Sequence, residues 1–320
     1  MSYDTGNVIL DNEYNLFVTG TIGGTNDPAV AALNSVWSVG NQNKGYGQTA
    51  VLPVGVGNLV YAAEWNSLFS NTANAAVHQN SSITAISAVS IGDKIVAIPG
   101  VQTNLDTIYS NRLNAVIQGS TVANTATMAT PWQNSLTFTH TANFASGDEA
   151  RYFFNAGGQL SITCSHPTGS TIDLLLSDLA ANIGTVKLSA PASGTITIAS
   201  TPYTGITRIG GGGSSPTISL NSGYYALGTS DANVFYQTAS TGPGSYLGTF
   251  INIFVKTTAP VGSNNDNGNV ITFTTVWDEM PDGMTATAGS ATTLTVHFPE
   301  AINISNTWHT VSTTATVTGS

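Results

Sequence analysis

Apolar and polar residues alternate along most of the chain from Trp132 onward, and this alternation predicts β-strands. In the segment 249–256, Thr249, Ile251, Ile253 and Val255 line one face of a strand. The residues between them, Phe250, Asn252, Phe254 and Lys256, line the opposite face. Further strand-like segments are SLTFTH, EARYFF, QLSITC, TITIAS, TISL, YYALG, NVFYQT, NVITFTTVW, TTLTVHF and WHTVSTTATV, and IDLLLSDLAANIGTVKL reads as a strand leading into one short helix. Because Gly, Asn and Pro turns separate many short strands, an antiparallel β-sandwich or jelly roll is expected.

Two of these runs, EARYFF and QLSITC, flank Asn-Ala-Gly-Gly, which predicts a β-hairpin. A three-residue loop over 156–158 sets Phe154 opposite Leu160 and keeps the apolar residues on one face, whereas a two-residue loop separates them. This would be the inner hairpin of the sheet. Tyr152 and Phe153 then point to opposite faces, and we expect the core to cover one face and a neighbouring subunit the other.

A helical period predicts two helices before the sandwich, over 61–79 and over 104–117. Thr103 and Asp106 resemble a capping box at the start of the second helix. The segment between the helices predicts a short hairpin around Gly92. Together these elements form a small α+β unit. The apolar face of the first helix consists of Trp65, Leu68, Phe69, Thr72 and Ala76.

Composition divides the chain into four parts. Residues 1–60 are rich in Gly and Asn and predict an extended N-terminal arm that docks on a neighbouring chain, although ordinary surface loops have the same composition. The α+β unit occupies 61–120, a linker without periodicity follows at 121–131, and the β-sandwich occupies 132–320. The first ten residues, MSYDTGNVIL, have neither a basic nor an apolar region, so we expect no secretion signal.

The charge pattern excludes one class of partner. Only 8 % of the 320 residues are charged, with 7 basic and 17 acidic residues and a net charge of −10. The few basic residues are scattered, so no basic face for nucleic acid can be assembled. No apolar run is long enough to span a membrane. The uncharged polar surface is typical of extracellular β-proteins and of assembly subunits.

Candidate metal ligands are few. The five histidines lie far apart in sequence without ligand spacing, and we expect His140 and His297 to face solvent. Oxygen ligands concentrate in SNNDNGN, where Asp266 and Asn264 are weak calcium candidates. Only one carboxylate is present there, and a hairpin loop that turns at Asn267-Gly268 accounts for the same residues. We therefore expect no cofactor.

Catalytic signatures are also missing from the sequence. Cys164 is the only cysteine and alternates with apolar residues, so we expect it to be a small core residue. Neighbours along a strand point to opposite faces, so neither adjacent acidic pair, at 148–149 or at 278–279, is a ready-made acid and nucleophile couple, and both lie at strand ends or loops where solvated carboxylates are expected. The sequence predicts no enzyme and no catalytic residue.

Five segments together resemble a known class of proteins. The segments GNQNKGYGQ, AAEWNSLFSNTANAAVHQ, YSNRLNAVIQGS, EARYFFNAGGQL and GSNNDNGNVITFTTVWDE are similar to virion structural proteins of tailed bacteriophages, especially tail, tail-fibre and baseplate-associated proteins of cyanophages and marine phages. The likeness begins at about residue 40. It implies a virion component without enzymatic residues, assembled in the host cytoplasm and repeated by symmetry, with a trimer expected by analogy.

The resemblance leaves three roles open. The first is a tail, fibre or baseplate-peripheral protein that docks on other virion proteins through its N-terminal part. The second is a capsid decoration protein. The third is a host-attachment module that binds surface glycan through exposed tyrosines. The interface candidates are Trp65, Phe69, Arg151, Tyr152 and Phe153, and the glycan candidates are Tyr203, Tyr224, Tyr225, Tyr236 and Tyr246.

Overall fold

The computed structural model describes residues 11–22, 25–26, 31–91, 93, 98–212, 223–239, 248–278 and 283–319. Its helices are α1 (Asp11–Thr19), α2 (Leu33–Trp37), α3 (Ala62–Gln79), α4 (Ile98–Ser110), α5 (Gly147–Asn155) and α6 (Thr171–Ile183), with a 3₁₀ turn at Tyr224–Ala226. Its strands are β1 (Thr21–Ile22), β2 (Thr25–Asn26), β3 (Gln118–Thr127), β4 (Leu136–Asn143), β5 (Gln159–Ser165), β6 (Thr185–Leu188), β7 (Ile196–Ile198), β8 (Thr201–Tyr203), β9 (Ile206–Ile209), β10 (Ala232–Thr238), β11 (Phe250–Thr257), β12 (Val270–Asp278), β13 (Ala291–Pro299) and β14 (Ser312–Gly319).

Two five-stranded antiparallel sheets form a β-sandwich, which confirms the predicted fold class. The first sheet has the order β10-β11-β12-β4-β14, and the second has the order β3-β13-β5-β6-β9. In β11, Ile251, Ile253 and Val255 are fully buried, as their alternation predicts. Between the sheets, His140 Nε2 of β4 lies 2.7 Å from Thr292 Oγ1 of β13. The buried faces of the two sheets therefore meet in one core.

The predicted inner hairpin is wrong in its first half, because EARYFF belongs to helix α5 and only QLSITC is a strand. The Ser146 side chain accepts a hydrogen bond from the Glu149 backbone N–H and caps the helix. Gly157, read as a hairpin turn, has φ +89° and follows the end of the helix. Strand β5 pairs instead with β13 and β6. The register proposed between Phe154 and Leu160 does not exist.

The predicted linker is also wrong over most of its length, because residues up to Thr127 belong to β3. This strand pairs with β13 along the edge of the second sheet. Its residues are small, polar and mostly exposed, so they carry no apolar alternation. The sandwich therefore begins at Gln118 rather than at 132.

The helical unit agrees with prediction only in part. Helix α3 has the predicted bounds within one residue and buries all five residues of its predicted face. Helix α4 begins at Ile98 and ends at Ser110, so Thr103 and Asp106 lie inside the helix and do not cap it. No strand occurs over 81–91, and the rest of the predicted hairpin, apart from residue 93, lies outside the described residues.

Two shorter predictions in the sandwich are corrected as well. The YYALG segment forms a 3₁₀ turn rather than a strand, and IDLLLSDLAANI is helix α6 throughout, followed by β6. The predicted strand TISL lies outside the described residues. No helix in the described part of the chain is long and apolar enough to cross a membrane.

The predicted N-terminal arm is folded into its own chain over 11–60, as far as the structure describes it. Helices α1 and α2 pack on α3, with the Tyr14 and Trp65 rings 5.3 Å apart in an edge-to-face contact. Leu33 and Val36 are fully buried as well. Because this segment fills the core of the helical unit, it is not an arm that becomes ordered only on a neighbour.

Candidate functional site

Among the described residues, the arrangement most similar to a catalytic site is a buried hydrogen-bonded chain of Ser290, His166 and Asp173. Ser290 Oγ lies 2.7 Å from His166 Nδ1, and His166 Nε2 lies 2.9 Å from Asp173 Oδ1. The same three residue types act together in serine hydrolases, where histidine activates the serine hydroxyl and the carboxylate orients the imidazole. The sequence alone does not reveal this arrangement, because Ser290 lies 124 residues from His166 and only the fold brings the two together.

Local structure places each member of the chain. His166 directly follows β5, and Ser290 directly precedes β13, which pairs with β5. Asp173 occupies the first turn of α6, where its carboxylate accepts hydrogen bonds from the Ser170 N–H and hydroxyl in a capping box. The Ser170-x-x-Asp173 spacing was the available sequence signal for this carboxylate.

The environment of this chain indicates a structural role. Ser290 and Asp173 are fully buried and His166 is 6 % exposed. Ser290 Oγ also lies 2.8 Å from Trp132 Nε1, which donates to it. A nucleophile must have space beside its oxygen for the reacting carbon of a substrate. Protein encloses Ser290, so its oxygen lacks that space. The three hydrogen-bonded side chains instead connect the end of β5, helix α6 and the start of β13.

The Asp173 carboxylate is stabilised in its charged form. Burial raises its pKa, but hydrogen bonds donated by Thr287, His166 and Ser170 outweigh burial and hold the pKa well below the usual range of an aspartate. Thr287 contributes both its backbone N–H, at 2.8 Å, and its hydroxyl, at 3.1 Å. Asp173 thus ties the 286–290 segment to helix α6.

Replacement of Ser290 by alanine is expected to lower the free energy of unfolding by about 1–3 kcal/mol, because Trp132 Nε1 and His166 Nδ1 lose a buried partner. Urea unfolding monitored by tryptophan fluorescence measures this loss. The matched control is Ser70→Ala on the exposed side of α3, which should change stability by less than about 0.5 kcal/mol. Unchanged stability together with loss of a hydrolytic activity would contradict the structural role.

The second polar cluster surrounds Arg151, whose side chain is fully buried in helix α5. Its Nε and Nη2 donate to Asp148 Oδ1 at 3.1 and 2.8 Å. Nη1 donates to the carbonyls of Gln42 and Lys44, and Nη2 donates to that of Val39. The guanidinium therefore organises a loop of residues 38–48, which we call the junction loop.

The junction loop also contacts the helical unit, so it joins both parts of the chain. Its Tyr46 is fully buried, donates to the Arg112 carbonyl at 2.7 Å and accepts from Gln79 Nε2 at 2.7 Å. On the sandwich side, Asn155 Nδ2 donates to the Gly45 carbonyl at 3.0 Å. Because the same short loop is anchored from helices α3 and α5, the GNQNKGYGQ segment is a structural junction, and its tyrosine is packed.

All five predicted interface residues belong to the interior of the chain. Trp65, Arg151 and Phe153 are fully buried, and Phe69 and Tyr152 are 8 % and 9 % exposed. The prediction that these residues form an interface is therefore wrong. They fill the core of the helical unit and the contact between α5 and the junction loop. None of them offers a surface to a second chain.

The predicted calcium candidates are engaged in hydrogen bonds. Asp266 Oδ1 accepts from the backbone N–H groups of Val261 and Gly268 at 3.0 and 2.8 Å, and Oδ2 accepts from that of Gly262. Asn264 Nδ2 donates to the Asp148 carboxylate. Asp266 thus folds the loop between β11 and β12. The described residues contain no group of three or more His, Cys, Asp or Glu side chains arranged to hold a metal.

The prediction of solvent-facing histidines is wrong. His140 is fully buried, and burial lowers its pKa to about 4. His297 is half-buried beside Ser161 Oγ at 2.8 Å, and burial together with the Lys187 charge lowers its pKa to about 4. Cys164 packs against the core as predicted, and burial raises its pKa to about 12.

The glycan candidates do not form an exposed aromatic surface among the described residues. Tyr203 and Tyr224 are buried, and Tyr225 and Tyr236 are half-buried. Tyr225 donates to the Gln42 carbonyl of the junction loop. Tyr246 lies outside the described residues.

An exposed apolar surface occurs instead on residues 52–61, which we call the apolar segment. Exposure reaches 75 % at Leu52, 89 % at Val56 and 58 % at Leu59. The segment contains no charged residue. Asn15 anchors the backbone of this segment at Val54: its side chain donates to the Val54 carbonyl at 2.7 Å and accepts from the Val54 N–H at 2.8 Å. The three apolar side chains are exposed to water on the folded chain.

Comparison of the chain with models of protein families, with characterised proteins and with solved structures finds no match.

Proposed function

We propose that this protein is a structural component of a tailed-phage virion, at the tail, fibre or baseplate periphery. It docks on another virion protein through its helical unit and presents its β-sandwich in a symmetric homo-oligomer. The resemblance of five sequence segments to phage structural proteins motivates this assignment. The low charge and the antiparallel sandwich are in keeping with it.

The observation that carries the docking role is the apolar segment. Isolated exposed apolar side chains are ordinary on protein surfaces, but a contiguous exposed stretch marks a contact surface. Here no charged residue lies between Leu52, Val56 and Leu59, and Asn15 anchors the backbone at Val54, between the first two. An apolar, uncharged surface of another virion protein fits this segment best, because a charged partner would lose hydration without gaining an ion pair.

Incorporation into particles tests this proposal. The variant Leu52→Ser/Val56→Ser/Leu59→Ser removes the apolar side chains and leaves the core of the helical unit unchanged. We expect its amount in purified particles to fall at least about tenfold relative to wild type, because a few central apolar residues carry most of the energy of such contacts. Quantitative mass spectrometry of particles made in complemented hosts measures the ratio.

The control variant is Val261→Ser/Ile302→Ser, which removes two other apolar side chains that are 60 % and 70 % exposed. Wild-type incorporation of this control and loss of the triple variant would support docking through the apolar segment. Equal incorporation of all three proteins would contradict it. A copy number that follows the capsid lattice would favour the decoration role instead. Deletion of residues 1–60 is unsuitable, because it removes buried Tyr14 and Tyr46.

A further inference from the structure

One lateral edge of the sandwich consists of two long strands, β14 in the first sheet and β3 in the second. They are 8 and 10 residues long, and each is the last strand of its sheet in the described part of the chain. Asn124 Nδ2 of β3 donates to Thr313 Oγ1 of β14 at 3.0 Å, so the two strands lie side by side at the same edge. In an antiparallel ladder, alternate residues of an edge strand direct their N–H and C=O groups outward.

Strand β14, and β3 beyond its first residues, lack the devices that normally prevent strands from pairing with other chains. Such devices are charged residues, proline, bulges and short strands. Neither β14, STTATVTG, nor β3, QGSTVANTAT, contains a charged residue or a proline. Strand β14 is regular throughout, and β3 shows one irregularity, near its first residue Gln118.

The opposite edge has these devices. Strand β9, the last strand of the second sheet, is 4 residues long and contains Arg208. Strand β10, the last strand of the first sheet, has an irregular register between Asn233 and Phe235. The molecule therefore protects one edge and leaves the other regular and uncharged.

We infer that the β14 edge is the contact between two copies of this chain, with β14 of one copy antiparallel to β14 of the other about a twofold axis. The first sheet then continues from one copy into the next, and β3 flanks the contact. Pairing of the same surface in both copies gives a closed dimer rather than the trimer that the resemblance implies. Over eight residues the new ladder is about 26 Å long.

A second copy fits this edge better than a different partner for two reasons. The chain carries a net charge of −10, so copies repel each other over most of their surface, and the uncharged edge permits close approach. Threonine hydroxyls both donate and accept, which makes a threonine row complementary to itself. Threonines already pair across neighbouring strands within the chain, at 2.7 Å between Thr141 and Thr314 and at 2.9 Å between Thr125 and Thr293.

The substitution Thr316→Lys tests the pairing, with Thr274→Lys as a matched control. Thr316, Thr139 and Thr274 form one row across the first sheet, with Thr316 on the edge strand and Thr274 two strands inside. Both substitutions place one positive charge on the outer face of the same sheet. Only at the edge do two copies bring the added charges together, where like charges oppose each other.

Light scattering coupled to size exclusion, with the pure protein over a range of concentrations, measures the mass. We expect wild type and T274K to have twice the 32.9 kDa mass of one chain. The T316K dimer should have a dissociation constant at least about tenfold higher than that of the wild-type dimer. A monomeric or trimeric wild type, or a dimer that T316K leaves unchanged, would overturn the inference. Because pure protein is used, failure here is distinguishable from failure of the virion role.

A second measurement needs no variant. Hydrogen exchange of the wild-type protein should show protection of outward-directed amides in β14 that increases with protein concentration, while amides of β12 stay constant. Exchange in β14 that is independent of concentration would overturn the pairing even if T316K failed to fold.

Discussion

Replacement of Arg151 by methionine is expected to lower the free energy of unfolding by about 3–5 kcal/mol, which is the range for breaking a buried charged network. Methionine approximates the length of the arginine stem but donates no hydrogen bond. The carbonyls of Val39, Gln42 and Lys44 lose the guanidinium donors, and the Asp148 carboxylate loses its countercharge. The junction loop is then held only by its remaining contacts.

Urea unfolding monitored by tryptophan fluorescence measures this effect, and Arg208→Met is its control. Arg208 is only half-buried and donates to the Asn182 carbonyl, so its loss should cost less than about 1 kcal/mol. The variant Arg151→Lys should recover little, because an ammonium group cannot reproduce the fork of the guanidinium. A cost below about 1 kcal/mol for Arg151→Met would show that the junction loop does not depend on this side chain.

Acidification from pH 7.5 to pH 5 is expected to destabilise the fold by about 2 kcal/mol for each of His78 and His140. Burial lowers the pKa of both imidazoles to about 4, below the usual value of about 6.5. The unfolded chain therefore binds protons first as the pH falls. Stability from this source is complete above pH 6.5 and is lost progressively down to about pH 4.

Urea unfolding at several pH values measures this dependence. The variants His78→Gln and His140→Gln should each remove about 2 kcal/mol of the loss between pH 7.5 and pH 5, whatever their stability at neutral pH. The slope of stability against pH, rather than stability itself, is the test. Wild-type slopes in both variants would mean that other groups cause the acid sensitivity.

The sandwich could be predicted because its central strands bury one face and leave the other partly exposed, so that apolar and polar residues alternate. In β11 and β12, one face of each strand is buried in the core and the other is partly exposed. The buried set therefore recurs every second residue, and only an extended chain produces that period. Helix α3 was predictable for the same reason, with a period of 3.6 residues.

Helix α5 was mispredicted because it is short and buried nearly all round. Asp148, Arg151 and Asn155 recur at helical spacing, but the helix has only nine residues and its three consecutive aromatic residues, Tyr152 to Phe154, are all buried. The aromatic residues themselves favour strands. The Ser146-x-x-Glu149 spacing nevertheless signals a helix start, and in the structure the Ser146 hydroxyl accepts a hydrogen bond from the Glu149 backbone N–H.

Strand β3 and the Ser290 chain were missed for a different reason. An edge strand with small polar residues has no apolar alternation, because little of it is buried. The proximity of Ser290, His166 and Asp173 results from the pairing of β13 with β5 and from the cap of α6. Such proximity is a property of the tertiary fold, and local sequence patterns do not encode it.

Localisation of the protein in purified particles tests the central claim of a virion structural role most directly. Electron microscopy of particles with a tag on this chain, combined with mass spectrometry of the same preparation, measures both position and stoichiometry. We expect density at a fixed, symmetry-related position on the tail, fibre or baseplate, with a constant copy number. Recovery of the protein only from the host lysate, with none in the particles, would contradict it.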